Sequence, residues 1–147
     1  MLLAILLGVA LFLFISLILA RVFSADGAER TAITLLIRDE ATDNPAGMAS
    51  RIRNCSRSAA CRARMAHDAS TLKRAGDVLV LQLLPSAGFS LTSTIGTARV
   101  AWKTPDSLPV VQCVRVRRAG SALSGITIEL LKLSARINSG ADCPRSF

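Results

Sequence analysis

The chain of 147 residues has few aromatic side chains: it has no tyrosine, one tryptophan and one histidine. With so few aromatic side chains to stack on bases, we expect no nucleic-acid partner. A single histidine and no nucleophile-elbow serine give no basis for a hydrolytic triad. The chain also has no C-x-x-C pair and no phosphate-binding glycine loop, which excludes the usual redox and nucleotide motifs. We therefore expect a non-enzymatic protein without a cofactor.

Charge is absent from the first part of the chain. Between Leu2 and Ala20 only Gly8 and Ser16 interrupt a run of Leu, Ile, Val, Phe and Ala. A helix over this run spans about 28 Å, close to the hydrocarbon thickness of a bilayer. No Lys or Arg precedes the run, and it is longer than the apolar core of a cleavable signal peptide. We predict a retained single-pass transmembrane anchor over residues 1–23, in contact with membrane lipid, and a linker over residues 24–30.

Two features bear on the side of the membrane, and they disagree. Arg21, Arg30 and Arg38 follow the apolar run and no basic residue precedes it, which favours a cytoplasmic domain. Four cysteines, an even number in a small domain, are typical of an oxidising compartment. We give the cysteines more weight and predict an extracytoplasmic domain.

The remaining residues, 31–147, predict one small α+β domain. Residues 46–75 are rich in Ala, Arg, Met and Ser, which favours two short helices around a turn at 55–61. A β-rich region follows over 77–137, with predicted strands at 77–84, 89–94, 97–104, 110–118 and 126–137. Four or five sequential strands with short connections indicate an antiparallel meander, and a polar tail follows at 138–147. Residues 31–38 fit a strand or a continuation of the anchor helix.

The last two strands form a hairpin whose register can be predicted. A loop centred near Ala122 places Arg115 opposite Glu129. One face then packs on the helices, with Val114, Val116, Ile128 and Leu130. The other face is solvated, with Arg115, Arg117, Thr127 and Glu129, where an opposite-charge pair contributes about 0.2–1 kcal/mol.

The four cysteines predict two disulfides. A Cys113–Cys143 bond holds the tail by closing a loop of about 30 residues, worth roughly 3–4 kcal/mol in the chain-entropy model. A Cys55–Cys61 bond requires a turn between the two residues, since in one helix they would be about 9 Å apart. The pairing of Cys55 with Cys113 and Cys61 with Cys143, and its cross, stay open.

The segment from residue 51 to residue 74 offers two further interpretations. Its spacing of Cys55, Cys61 and His67 is wider than in the usual structural zinc sites, but it leaves a metal-binding protein or membrane-surface enzyme as an alternative. The segment is also strongly basic in a chain of net charge +8, which favours an acidic partner or anionic lipid. The basic residues, with Asp68 as the only acid among them, are Arg51, Arg53, Arg57, Arg62, Arg64, Lys73 and Arg74.

The order of elements resembles that of type IV pilin-like subunits: an apolar N-terminal helix, a helical segment and a meander with a C-terminal cysteine. The sequence departs from the family's processing motif, because Val9 replaces the aromatic residue after Gly8 and Leu13 replaces the acidic residue. We do not assign the family. The function we expect is that of an accessory or structural subunit, with protein partners in a membrane or envelope assembly.

Overall fold

The computed structural model of the chain describes residues 2–86, 93–121 and 125–147. Its first element is α1, a helix of 40 residues from Leu2 to Ala41. Residues 24–30, expected to be a linker, lie inside this helix. Residues 31–38 also belong to it, so the helical alternative is the observed one. Ala, Leu, Glu and Arg, all good helix formers, dominate this part of α1, and they offset the cost of Gly27, about 1 kcal/mol.

The two halves of α1 have different surroundings. In the first half, the large apolar side chains from Ile5 to Leu19, with the exception of Ile18, are about half exposed or more, on all sides of the helix. In the second half, one stripe of the helix is buried against the rest of the chain, at Ala25, Glu29, Ile33, Leu36, Ile37 and Glu40. Steps of three and four residues keep this stripe on one helical face. The second half of α1 is therefore the central helix of the domain.

Two short helices follow and confirm the expected helical region. Helix α2 spans Pro45–Arg51, with the Asn44 side chain accepting a hydrogen bond from the Gly47 amide and proline at the first turn, which are strong start signals. A 3₁₀ turn covers Cys55–Arg57. Helix α3 spans Ala59–Leu72, capped by the Ser58 hydroxyl. The chain thus turns between Cys55 and Cys61, as predicted.

Among the described residues, four strands form one antiparallel sheet in the order β1-β2-β3-β4, which confirms the meander. Their bounds are Leu79–Leu84, Thr94–Lys103, Val110–Ser121 and Gly125–Leu133. The predicted strand at 89–94 falls mostly outside the described residues. Trp102, Val100, Val114 and Val116 are fully buried on the face towards the helices, where they form the core with Met48, Met65, Ile33, Leu36 and Ile37.

The register of the β3–β4 hairpin differs from the prediction. Val116 pairs with Leu130 and Arg117 pairs with Glu129, a shift of two positions from the expected pairing. A shift of two preserves which side chains share a face, so Val114, Val116 and Leu130 are buried as expected. At the end of the hairpin Ser121 pairs with Gly125, and Gly120 and Gly125 both have positive φ, of 104° and 98°, which glycine adopts readily.

The buried stripe of α1 contains two glutamates, and β3 supplies a partner for each. Glu29 lies near one end of the stripe and accepts a hydrogen bond of 2.8 Å from Arg118. Glu40 lies near the other end and accepts one of 2.8 Å from Gln112. The glutamates are about 16 Å apart along the helix, and their partners are about 20 Å apart along the strand. The two polar contacts thus match in spacing and fix the position of α1 on the sheet.

Arg118 is the central residue of a partly buried charge cluster. Its guanidinium lies 2.7 Å from Glu29 Oε2 and 2.6 Å from Asp26 Oδ1. Glu29 is fully buried and also accepts hydrogen bonds from the amide and hydroxyl of Ser86. Burial lowers the pKa of Arg118, but its hydrogen bonds to Glu29 and Asp26 raise that pKa by more, so the guanidinium stays charged.

Replacing Arg118 by alanine leaves the Glu29 carboxylate buried without a counter-charge. We expect R118A to lower the free energy of unfolding by about 3–5 kcal/mol, measured by denaturant titration of the full chain in mild detergent. The control is R117A, since Arg117 is one-third exposed and lies 3.7 Å from Glu129; it should lose less than about 1 kcal/mol. Equal losses in the two variants would contradict this account of the cluster.

Candidate functional site

The four cysteines form the two disulfides that the sequence predicts. Cys55 pairs with Cys61, with their Cα atoms 5.2 Å apart, and Cys113 pairs with Cys143, at 5.8 Å. The first bond joins the 3₁₀ turn to the first turn of α3. The second joins the middle of β3 to the C-terminal tail. The two alternative pairings are therefore not the observed ones.

The tail lies across the outer face of the sheet, opposite the helices. Ile137 forms an isolated bridge with Val111. The carbonyls of Ser139 and Arg145 accept hydrogen bonds from Arg99 and Arg115. These contacts, with the disulfide, bury Val111 and Cys113 on a face that would otherwise be open. The tail thus covers the centre of the outer face, while Leu79, Leu81 and Leu84 on β1 stay about half exposed.

The proposed metal ligands do not lie together as free groups. Cys55 and Cys61 are joined in a disulfide, so neither has a thiolate for a metal. His67 is exposed on α3, and its carbonyl accepts hydrogen bonds from Ser70 and Thr71. Among the described residues no group of three His, Cys, Asp or Glu side chains could hold a metal ion. A metal site at Cys55, Cys61 and His67 therefore requires the disulfide to be reduced first.

The basic segment acquires acidic partners from distant parts of the chain. Asp39 on α1 contacts Arg51, and Asp43 lies 3.2 Å from Lys73. The other two ion pairs are Arg53 with Glu129, at 3.0 Å, and Arg64 with Asp68, at 3.7 Å. Arg62 and Arg74 donate to backbone carbonyls. Arg57 differs: its side chain is exposed and has no hydrogen bond or ion pair to any residue that the structure describes.

The basic residues are spread over the domain rather than gathered at one point. Arg51, Arg53 and Arg57 line an open cleft of about 480 Å³, with Asn54, Ser56 and Glu129 also in its wall. Arg74 lies elsewhere, at the end of α1, where its amide donates to the carbonyl of Ala41. At 1.5 Å per residue, Ala41 is about 30 Å along the helix from Ala20, where the uncharged run ends. The strongest candidate for binding an anion is therefore the cleft around Arg57.

A chain of buried polar side chains links the sheet to α1. The indole Nε1 of Trp102 donates to Gln112 Oε1 at 2.9 Å, and Gln112 Nε2 donates to Glu40 Oε1 at 2.8 Å. All three side chains are fully buried. Glu40 Oε2 has no hydrogen bond to the described residues. Asp68 Oδ2 also has none, although it lies 3.7 Å from Arg64 Nε.

Burial decides the ionisation of these carboxyl groups. Loss of solvent raises the pKa of Glu40 from 4.5 to about 8, against a smaller opposite effect of the Gln112 hydrogen bond. The nearby Asp68 charge adds to the rise. Burial also raises the pKa of Asp68, against the attraction of Arg64. At neutral pH Glu40 is therefore mostly protonated, and its neutral form can remain in the core without a counter-charge.

Neither buried glutamate was predicted from the sequence. The available signal was their place on a helical stripe, at steps of three and four from Ile33, Leu36 and Ile37. Gln112 and Arg118 likewise share a strand face with Val114 and Val116. Residues 31–38 have a composition that fits a strand or a helix, and residues 24–30 that of a linker, so the pattern alone did not reveal a continuous helical stripe.

Comparisons with known proteins give no relative. No family model, no curated protein and no solved structure matches the chain. Within the described residues, one helix, Ile5–Ala41, is long and apolar enough to cross a membrane, and its most apolar part is not buried in the protein. The fold is therefore an α+β fold in which the apolar first half of the N-terminal helix is not buried in the protein.

The raised pKa of Glu40 makes the stability of the folded domain depend on pH. Because its pKa is higher in the folded state, the folded chain binds more protons than the unfolded chain between about pH 4.5 and 8. The contribution of Glu40 to stability is thus fully present below about pH 4.5 and is lost as the pH rises to about 8. We expect E40Q to have a higher midpoint of thermal unfolding than the unmodified chain at pH 8, and a weaker decline from pH 5 to pH 8.

The matched control is E129Q, which removes a half-buried glutamate from surface ion pairs. In E129Q the midpoint of thermal unfolding should decline from pH 5 to pH 8 as much as it does in the unmodified chain. An E40Q variant whose thermal midpoint falls with pH as steeply as that of the unmodified chain would show that Glu40 is not the responsible group.

Proposed function

We propose that the chain is a single-pass, membrane-anchored, non-enzymatic subunit of a larger membrane or envelope assembly. The observation behind this is the continuity of α1, whose first half presents apolar side chains on all sides and whose second half is the core of the domain. A helix that is apolar on every side belongs in lipid. An anchor without an irregular connection holds the domain at a set height and direction, which suits a structural subunit.

The disulfides support the placement of the domain on the extracytoplasmic side of the membrane. Both cysteine pairs are bonded and no cysteine is left free. Bonded pairs persist in oxidising compartments and are rare in the cytosol. The Arg residues that follow the anchor favour the opposite orientation, but the disulfides favour a domain on the extracytoplasmic side.

A second candidate function is recognition of an acidic protein partner through the cleft around Arg57. Arg57 is the observation that favours it, since the other cations of the segment are engaged within the chain. The anionic-lipid alternative is less favoured by the geometry. With α1 upright in a bilayer, Asp39, the partner of Arg51, lies about 28 Å along the helix from Ala20, far from the headgroups.

The proposed function predicts a stable complex in the native membrane. After extraction in mild detergent, gel filtration should show a complex larger than a single chain in its detergent micelle. The complex should contain a protein partner in a fixed molar ratio to the chain. The R57E variant tests the second candidate: it should lose an acidic partner that binds the cleft. A monomer without any partner would contradict the proposed function.

Thiol labelling of the same membranes determines on which side of the membrane the domain lies. A membrane-impermeant maleimide applied from the extracytoplasmic side should label no cysteine before reduction and should label the chain after an impermeant reductant. Labelling that appears only after the membrane is opened would place the domain in the cytosol, and labelling from the extracytoplasmic side without reductant would contradict the disulfides.

A further inference from the structure

Two contacts fix the direction of the sheet relative to α1. On β3, Gln112 is hydrogen-bonded to Glu40 and Arg118 is hydrogen-bonded to Glu29. Residue numbers rise along β3 as they fall along α1, so β3 runs back towards the apolar half of the helix. The β3–β4 hairpin therefore ends on the side of the domain that faces this half, and the connection between β2 and β3 lies at the opposite end of the sheet.

The level of this hairpin can be measured along α1 from Ala20, where the uncharged run ends. Ala28 on α1 and Ile128 on β4 line the same groove. Ala28 is about 12 Å along the helix from Ala20. Gly125 lies three residues ahead of Ile128, about 10 Å farther towards the apolar half, and it pairs with Ser121. The end of the hairpin thus comes within a few ångströms of the level of Ala20.

The burial of α1 gives the same level by a separate route. Ala25 is 2% exposed although it lies only about 7.5 Å along the helix from Ala20. Phe23, two residues nearer to Ala20, is 72% exposed. The domain therefore covers α1 down to Ala25. The headgroup region adds about 5–7.5 Å on each side of the hydrocarbon core of a bilayer, so this end of the domain is at the depth of the headgroups when the uncharged run spans the core.

The same end of the sheet has no charge of its own. The sequence contains no Asp, Glu, Lys or Arg over residues 79–98 and 119–128, which include the ends of all four strands on this side. The charge of Arg118, the nearest cation of β3, is matched by Glu29 and Asp26. Backbone groups at strand ends need hydrogen bonds, which water and headgroups supply and the hydrocarbon core does not. An uncharged strand end therefore fits the headgroup layer and not the layer beneath it.

We propose that the membrane-side end of the sheet, residues 119–121 of β3 and 125–127 of β4, lies in the lipid headgroup layer. The inference rests on the proposed anchoring by α1 and adds a second contact with the bilayer, made by uncharged strand ends. Because α1 continues from the anchor into the core, its contacts with β3 hold this end of the sheet at a constant depth. The contact requires no anionic lipid, and salt, which screens exposed charges, should not weaken it.

Tryptophan fluorescence of the full-length chain in lipid nanodiscs measures this depth. The lipid is zwitterionic, and a part of it carries a nitroxide quencher on the headgroup. Trp102 gives a constant background, because it is buried and hydrogen-bonded through Gln112 to Glu40, about 30 Å along α1 from Ala20. The fluorescence that Ser121→Trp adds to this background should be mostly quenched.

Two further probes give the dependence on depth. Leu108→Trp is the matched control, at an exposed position in the connection between β2 and β3, and its fluorescence should stay unquenched. Ser93→Trp is the second probe if Ser121→Trp does not fold. Ser93 is exposed one residue ahead of Thr94, which pairs with Arg118, so its quenching should lie between those of the other two variants.

The role of charge is tested with the same variants. Arg21 and Arg30 on α1 are the cations of the helix closest to this end of the sheet. Quenching of Ser121→Trp should be equal in zwitterionic and anionic lipid, and high salt should leave it unchanged. Quenching that requires anionic lipid or low salt would overturn the uncharged contact.

A probe in the apolar run separates this inference from the proposed anchoring. Phe12→Trp, at an exposed position of the run, should be quenched by lipid brominated on its acyl chains, wherever the domain lies. If Phe12→Trp is quenched in this way while Ser121→Trp and Ser93→Trp stay as bright as Leu108→Trp, the headgroup contact is overturned and the anchor stands. An unquenched Phe12→Trp would overturn both.

Discussion

The fold depends on the buried stripe of α1 and on the hydrogen bonds of its two glutamates to side chains of β3. The middle of the stripe is apolar, with Ile33, Leu36 and Ile37 in the same buried core as the inner valines of the sheet, and a glutamate near each end has its partner on β3. Apolar packing alone would tolerate sliding of the helix along the sheet. The polar ends do not, because a shift in either direction leaves a buried glutamate without its partner. We infer that these contacts set the length of α1 that belongs to the domain.

The glutamates near the two ends of the buried stripe are stabilised by different interactions. At Glu29 the partner is a cation, and the cluster with Asp26 and Ser86 keeps a charge inside the protein. At Glu40 the partner is a neutral amide, and burial favours the protonated form. The charged end lies closer to the apolar half of α1 and the neutral end lies farther from it. An ion pair at Glu29 thus holds α1 on the side nearer the apolar half, and hydrogen bonds between neutral side chains at Glu40 hold its C-terminal end.

The parts of the fold that follow local rules were predictable from the sequence. The helices over 46–75 begin at Asn44 and Ser58, which are standard caps. The turn at 55–61 and the polar tail favoured the observed disulfide pairs, and the structure decides against the two pairings that the sequence left open. The length of α1 was not predictable, because residues 24–38 have the composition of a helix, a linker or a strand. Packing on β3 decides among these, and that contact joins residues almost ninety positions apart.

The candidate site was predictable only in part, for a similar reason. The density of arginines in the 51–74 segment is visible in the sequence, but their acidic partners Asp39, Asp43 and Glu129 come from other elements. Only the fold distinguishes Arg57 from the neutralised cations around it. The central claim is that α1 is one uninterrupted helix from the proposed anchor into the core. Hydrogen exchange of the full chain in lipid nanodiscs tests it most directly: amides of residues 20–32 should exchange as slowly as those of 33–40, and rapid exchange confined to 24–30 would contradict the account.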